Sequence, residues 1–378
     1  MGFLPNDWPT LNNQFLKERE IPMRYLIISY DDYFNIPYIR FYEETLRKEG
    51  HTYDIVLWKR SGKSCGLPNA YEFGGKDHSA KVRKIVPFLR WRKFTLDILK
   101  QNHYDRLIIL TTMPGILLAD HLLGEYKGKY WFDIRDFTYE NVFFYKGLVA
   151  KLVHGSWATS ISSPAFQSFL PNSPRIHLTH NITNEDAAVG HCPLDVTYRP
   201  MKIGYVGGIQ FVEQNQMLLK QFAHNPDFIL KYAGRPHLGC DLQPFCKEQG
   251  IKNAEFLPAF TNDQKPGIYQ DIHLINSIYG NDNQVVRLLL PNRLYDCVLF
   301  KKPILVSKGT YLAEVVARYN LGIAVDPAVD DVAQEIETYL KNFNHQAFDA
   351  GCEAFLKVVA TEKAAYDLAL AKFCTKSE

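Results

Sequence analysis

Residues 291–306 read PNRLYDCVLFKKPILV, and SKGTYLAEVV follows at 307–316. Pro291 stands at a helix start and Pro303 just past a helix end, the places where a missing N–H costs least. Between them the spacing predicts a short helix closing at Lys301 and Lys302, and 304–306 predicts a buried strand. A polar segment at 281–284 leads into this stretch, and a second loop and helix leave it. In an open parallel sheet, loops in that order lie at the strand ends where ligands bind.

Working outward, the flanking chain repeats the same βα rhythm in two series. Upstream of the stretch, strands are expected at 203–206, 228–233, 253–257 and 271–275. Residues 184–200 are polar and without periodicity, which predicts a linker. The first series opens with MRYLIIS at 23–29, an amphipathic helix to Lys48 ended by Gly50, and a strand at 51–57. Further strands are expected at 104–110, 130–133 and 158–161. From Val332 the pattern is helical, first to Phe343 and then from Gln346 to Phe373. The expected division is an N-terminal extension (1–22), a first α/β domain (23–183), the linker (184–200), a second α/β domain (201–345) and a C-terminal helix (346–378). Both domains are read as doubly wound parallel sheets.

Bulk properties exclude several classes. The chain has 378 residues, enough for two domains at ~150 each. Its 43 basic and 41 acidic residues leave a formal charge of +2, so no affinity for nucleic acid is implied. The seven cysteines lack zinc spacing and read as reduced thiols. No run approaches the ~20 apolar residues of a membrane span. The start has no basic segment followed by an apolar one, so a cytoplasmic protein is expected.

Several stretches carry chemistry. Strand 203–206, Gly207–Gly208 and a following helix form a phosphate cradle, because glycines let a diphosphate reach the backbone at a helix N-terminus. It lacks the spacing of a dinucleotide site. Between Lys81 and Lys93 six basic residues and no acid interleave with apolar ones. Arg90, Arg92 and Lys93 are read either as a membrane-surface or lipid-diphosphate contact or as a solvated helix face interrupted by Pro87. Asp31–Asp32 and 281–283 are loop material rather than a metal site, and no metal or cofactor is expected. His180 is a lone histidine after a strand and is read as structural rather than as a catalytic base, and His154 has no better claim to that role.

PNRLYDCVLFKKPILV resembles the P-x-K-L-x-E-Y-x-x-x-G-K-P-V signature of bacterial GT-B glycosyltransferases of the family-4-like group. GTYLAEVVARYNLGIAVD, at 309–326, is similar to that family's GG-x-x-E-V-V ending. The resemblance implies two Rossmann-like domains facing across a cleft, the nucleotide-sugar donor in the second, and a C-terminal helix crossing back to the first. It implies that Asp296 holds the ribose, with Asp in place of the usual Glu. Leu288 stands where the first Glu of the family's E-x7-E pair would fall, and 209–216 lacks the family's basic residues after the glycine turn. Diphosphate charge must then be met elsewhere. Arg293, at the signature's Lys position, suits the task because guanidinium binds phosphate oxygens bidentately. The alternative is an ion pair with Asp296 or Asp282. Lys308 with Gly309, and Arg235, are further diphosphate candidates. Leu257 marks the strand edge that holds the base through main-chain atoms. DIRDFTYE, from Asp133, resembles the segment at the cleft edge, so Arg135 and Asp136 are expected to touch the acceptor, the alternative being a helix cap with a neighbouring ion pair. The implied activity is retaining hexosyl transfer from a nucleotide sugar to a glycan or polyprenyl-diphosphate-linked acceptor in bacterial surface polysaccharide synthesis, with peripheral contact at the cytoplasmic face of the membrane. Alternatives are a nucleotide-sugar epimerase of the same architecture and a non-catalytic carbohydrate-binding protein.

Overall fold

The computed structural model describes residues 22–74, 85–139, 142–182 and 194–375. The expected extension, up to residue 21, most of the linker, and Lys81, Arg83 and Lys84 of the basic segment lie outside the described residues.

Two wholly parallel sheets carry the fold. The first contains β1 (Arg24–Ile28), β2 (Thr52–Lys59), β3 (Ala70–Gly74), β4 (Arg106–Leu110), β5 (Tyr130–Ile134), β6 (Ala158–Ile161) and β7 (Ile176–Leu178). Its order is β3-β2-β1-β4-β5-β6-β7. The second contains β8 (Met201–Val206), β9 (Phe228–Ala233), β10 (Ala254–Leu257), β11 (Leu274–Ser277), β12 (Ile304–Ser307) and β13 (Gly322–Val325), in the order β10-β9-β8-β11-β12-β13. Both are doubly wound, with the order reversing beside β1 and β8. Central strands such as RYLII and YWFDI are buried almost throughout, as strands covered on both faces must be.

Several expectations are corrected in detail. The loop after Trp58 contains edge strand β3, which pairs with β2 from Ile55 to Lys59. Its sequence, AYEFG, is half-exposed and lacks an apolar run to announce it. The strand expected at 271–275 lies at Leu274–Ser277, because Asp271 and His273 are taken up by ion-pair and backbone contacts before the ladder begins. Pro87 does not interrupt its helix. Ile85–Gln101 is continuous, and Pro87 sits in its first turn, where an N–H would have no intrahelical acceptor and the lack of one costs little.

The helix His345–Cys374 joins the two halves. Phe348, Cys352, Phe355 and Val359 enter the core of the second sheet, and Tyr366, Leu370 and Phe373 enter that of the first. Gly351 permits the approach, since a Cβ there would lie 1.7 Å from the Tyr319 carbonyl oxygen. The last turn is held by side chains of the first domain. The Tyr25 hydroxyl and the Arg106 guanidinium donate to the Phe373 carbonyl, and His51 Nε2 meets that of Cys374 at 2.5 Å. A cation at a helix C-terminus complements the helix dipole.

Beside β8, His273 Nδ1 accepts the Lys202 N–H at 2.9 Å, and its ring stacks on Tyr198. Burial lowers its pKa from an ordinary 6.5 to about 4, and Lys302 and Lys202 add to the shift. The unfolded chain therefore binds a proton that the folded chain refuses, and stability falls as pH drops from about 6.5 towards 4. In His273→Phe, which keeps the stack but cannot titrate, the loss of melting temperature between pH 7 and pH 4.5 is expected to be smaller than in wild type. Equal losses in the two proteins would rule His273 out as the source.

Candidate functional site

The carboxyl ends of both sheets face a shared cleft of about 590 Å³. On the second-domain side, β8 runs into Gly207–Gly208, and β9 into Gly234. Gly207 has φ +118 and Gly234 has φ +136, and a Cβ on Gly234 would lie 2.0 Å from the Gly207 carbonyl oxygen. Only glycine fits where the two strand ends converge. The loop is pinned further: Ile209 N–H donates to Arg235 O, His237 N–H to Ile209 O, and Gln210 N–H to the Tyr205 hydroxyl.

Arg293 enters this turn from the helix Asn292–Phe300. It is 5 % exposed. Its Nε donates to the Val206 carbonyl at 2.8 Å and its Nη1 to the Tyr279 hydroxyl at 2.6 Å. The guanidinium lies 3.4 Å from the Tyr205 ring centroid. Nη2 is on the Gly207 side, 3.6 Å from where a Cβ on that glycine would be. Among the described residues no carboxylate lies within ion-pair distance of it, so the anticipated alternative, a pair with Asp296 or Asp282, is not formed. A guanidinium remains charged in this setting, and a buried charge without a counter-ion is costly.

Asp296 is occupied by other partners. Its Oδ1 meets Lys265 Nζ at 2.5 Å and its Oδ2 accepts from the Tyr269 hydroxyl at 2.7 Å. Burial pushes its carboxyl above the usual range, and Lys265, Tyr269 and the nearby charge of Arg293 oppose that shift. Lys265 lines the cleft beside Asp296 but was not foreseen, because a single lysine in a polar turn carries no sequence signal.

On the first-domain side, Arg135 and Asp136 line the same cleft. Arg135 is turned inward. Its Nε donates to both oxygens of the fully buried Asp133 at 3.0 and 2.9 Å, and its Nη1 donates to Asn181. Of the two alternatives in the sequence, the neighbouring ion pair describes Arg135. Asp136 is exposed along the cleft. Surrounding protein raises its pKa, Arg135 opposes that, and Asp133 and Asp31 reinforce it. His180 is buried between Tyr295 at 2.8 Å and Glu362 at 2.7 Å, which makes it a brace between the halves.

The remaining candidates are placed as follows. Arg235 is exposed beside Gly207 and Gly208 in a pocket of about 460 Å³ that adjoins the cleft. Leu257 ends β10, with its side chain packed on the core and its carbonyl facing Gly234 N–H at 3.5 Å. Lys308 does not line the cleft. It borders a separate pocket of about 180 Å³ and pairs with Asp330 at 2.6 Å, and Gly309 sits against Asn281. Arg92 donates to the Leu117 carbonyl and pairs with Asp120, whereas Arg90 and Lys93 are exposed. Among the described residues no three His, Cys, Asp or Glu side chains converge as metal ligands, and no helix is long and apolar enough to cross a membrane.

No family model matches the sequence, and no curated protein matches it. Solved structures do match in fold. The sucrose-phosphate synthase of Thermosynechococcus elongatus aligns with 93% of this chain and 98% of its own at 12% identity, with a TM-score of 0.65. Anabaena HepE in complex with UDP and glucose aligns with 93% of this chain and 100% of its own, at 12% identity and a TM-score of 0.61. WaaG, a glycosyltransferase involved in lipopolysaccharide biosynthesis, gives the same coverage and identity with a TM-score of 0.59.

Removing the cation beside Asp296 tests the electrostatics of the site. Lys265→Met is expected to lower stability by about 1–3 kcal/mol at pH 7, because a nearly buried carboxylate loses its partner. Asp296 then has a raised folded pKa, so its cost falls as pH drops and the group protonates. Chemical denaturation at pH 7 and pH 5 should show a smaller deficit at pH 5, and an unchanged deficit would exclude Asp296 as the cause. These observations establish that the chain has the two-domain Rossmann-like GT-B fold.

Proposed function

We propose that this chain is a metal-independent glycosyltransferase that takes a sugar from a nucleoside-diphosphate sugar. The observation that carries this reading is Arg293, a buried cation without a counter-ion beside the glycine turn at the carboxyl end of β8. A doubly wound sheet binds ligands at that position, and a diphosphate would complete the charge. Anabaena HepE, which shares the fold, is in complex with UDP and glucose, and this is consistent with the reading.

In the proposed reaction the bond from the anomeric carbon to the diphosphate breaks and a bond to an acceptor oxygen forms. The diphosphate leaves with the electron pair, and Arg293 and the Gly207–Gly208 amides stabilise the charge that develops on it. The acceptor hydroxyl gives up its proton, and Asp136, across the cleft with a raised pKa, is our candidate to receive it. Asp296 and the Leu257 edge are assigned to ribose and base, and Arg235 to the outer diphosphate. Lys308 and Gly309 are left out because they border another pocket. Retention of configuration, hexosyl transfer and a lipid-linked glycan acceptor remain part of the proposal through the sequence resemblance.

Contact with a lipid surface also belongs to it. Exposed Ile85, Val86 and Leu89 share a helix with exposed Arg90 and Lys93, and Phe143 and Phe144 are exposed at the start of the helix Phe143–Gly155. Exposed apolar groups beside exposed basic ones suit an anionic bilayer.

Arg293→Met keeps an unbranched apolar stem but removes the guanidinium that lies over Tyr205. It is expected to lower transfer by on the order of 10²-fold. Nucleoside-diphosphate release, measured with and without a glycan acceptor, checks this, and near wild-type turnover would remove Arg293 from the mechanism. Conversion of the nucleotide sugar without any acceptor would instead identify an epimerase. Arg90→Glu with Lys93→Glu should weaken binding to vesicles of phosphatidylglycerol and phosphatidylcholine by about 2 kcal/mol, roughly 1 per basic residue. Unchanged co-sedimentation would refute the surface contact.

A further inference from the structure

We propose that Tyr279 and Phe211 are positioning residues that aim Arg293 at the diphosphate, replacing the basic residues missing from 209–216. This inference rests on the glycosyltransferase reading of the same site. Four observations support it.

First, a guanidinium can rotate about its long stem, so it needs fixed acceptors to present one edge. The Tyr279 hydroxyl takes Nη1, the Val206 carbonyl takes Nε, and Nη2 lies on the side of the glycine turn. Second, Tyr279 is itself held in place. Its N–H and that of Gly280 donate to the Ser307 hydroxyl at 3.0 and 2.8 Å. Its ring stacks on Phe211 with centroids 4.3 Å apart and planes at 17°. Third, Phe211 occupies the left-handed region at φ +57, a conformation that a bulky side chain seldom adopts. The Tyr279 stack is what the strained backbone gains, and strain of this kind is found where a ligand loop is held in place. Fourth, both rings line the cleft, so the stack forms one wall of the ligand space rather than part of the closed core.

Tyr205 covers one face of the guanidinium, at 3.4 Å from its ring centroid, while Tyr279 is 5.3 Å away by the same measure. The charge is thus bounded by π-faces, which attract a cation without neutralising it. An Asp or Glu in place of either tyrosine would hold Arg293 as firmly but would cancel the charge that the diphosphate needs. Phenol and carbonyl acceptors orient the guanidinium and leave it cationic.

The test separates this role from simple packing. Tyr279→Phe keeps the ring, its stack and its volume, and removes only the acceptor. Calorimetric titration of the full chain with UDP, ADP and GDP identifies the diphosphate it binds, and the matching nucleoside is the control. Tyr279→Phe is expected to weaken the diphosphate by about tenfold, the worth of one hydrogen bond to a charged group, and to leave the nucleoside unchanged. In the Arg293→Met background the same substitution should cost less than about twofold, because the group it orients is gone. Phe211→Leu should reproduce the selective loss, and Phe211→Trp should restore it. Equal weakening of diphosphate and nucleoside, or equal effects in both backgrounds, would overturn the proposal. If the wild-type chain binds none of the three diphosphates, the glycosyltransferase reading fails as well, and that outcome is distinct from a wild type that binds and a variant that binds equally well.

Discussion

A positive charge buried without a counter-ion governs the arrangement of the second domain. Isolated burial of a guanidinium is unfavourable, and here it is offset by a carbonyl, a phenol and the face of a tyrosine. Those groups come from the end of β8 and the loop after β11, which flank the reversal in strand order. The close approach of Gly207 and Gly234 fixes the backbone next to the Val206 carbonyl that accepts from Arg293. Asp296 sits one helical turn along from Arg293 but makes its direct contacts with Lys265 and Tyr269, so it forms no ion pair with the guanidinium.

The facing domain is fixed to this site by polar contacts that cross the cleft. Arg135 donates to Asn181, and Asn181 donates to Asn292, the residue before Arg293. The Ser163 hydroxyl donates to the Leu288 carbonyl at 2.6 Å, and His180 links Tyr295 to Glu362 on the long C-terminal helix. One helix therefore carries Asn292, Arg293, Tyr295 and Asp296, so the two domains are registered against a single element. Position 288, where the resembled family has a Glu, holds a leucine that packs against the first domain's core and offers its carbonyl to Ser163.

The fold was legible because parallel strands buried on both faces leave unbroken apolar runs, and prolines 291 and 303 bracket the central helix at permitted positions. Edge strand β3 was not legible, since a half-exposed AYEFG has no such run. Arg293 could be picked out by its place in the signature, but its partners could not. Tyr205 and Phe211 flank the glycine turn after β8 while Tyr279 follows β11, and only the fold brings their rings together. Lys265 was invisible for the same reason. That Arg135 turns inward was not legible, because a strand read at 130–133 does not say that the buried Asp133 will receive the guanidinium two residues on. Lys308 has a strand-end position like that of the cleft residues, but the sheet carries it one strand too far from the reversal.

The most direct measurement is a crystal structure of the chain with a bound nucleoside diphosphate. A diphosphate oxygen is expected within hydrogen-bond distance of the Arg293 guanidinium and against the Gly207–Gly208 turn. A nucleotide seated in the pocket beside Lys308, or anywhere that leaves Arg293 facing no anion, would contradict the role assigned to that buried charge.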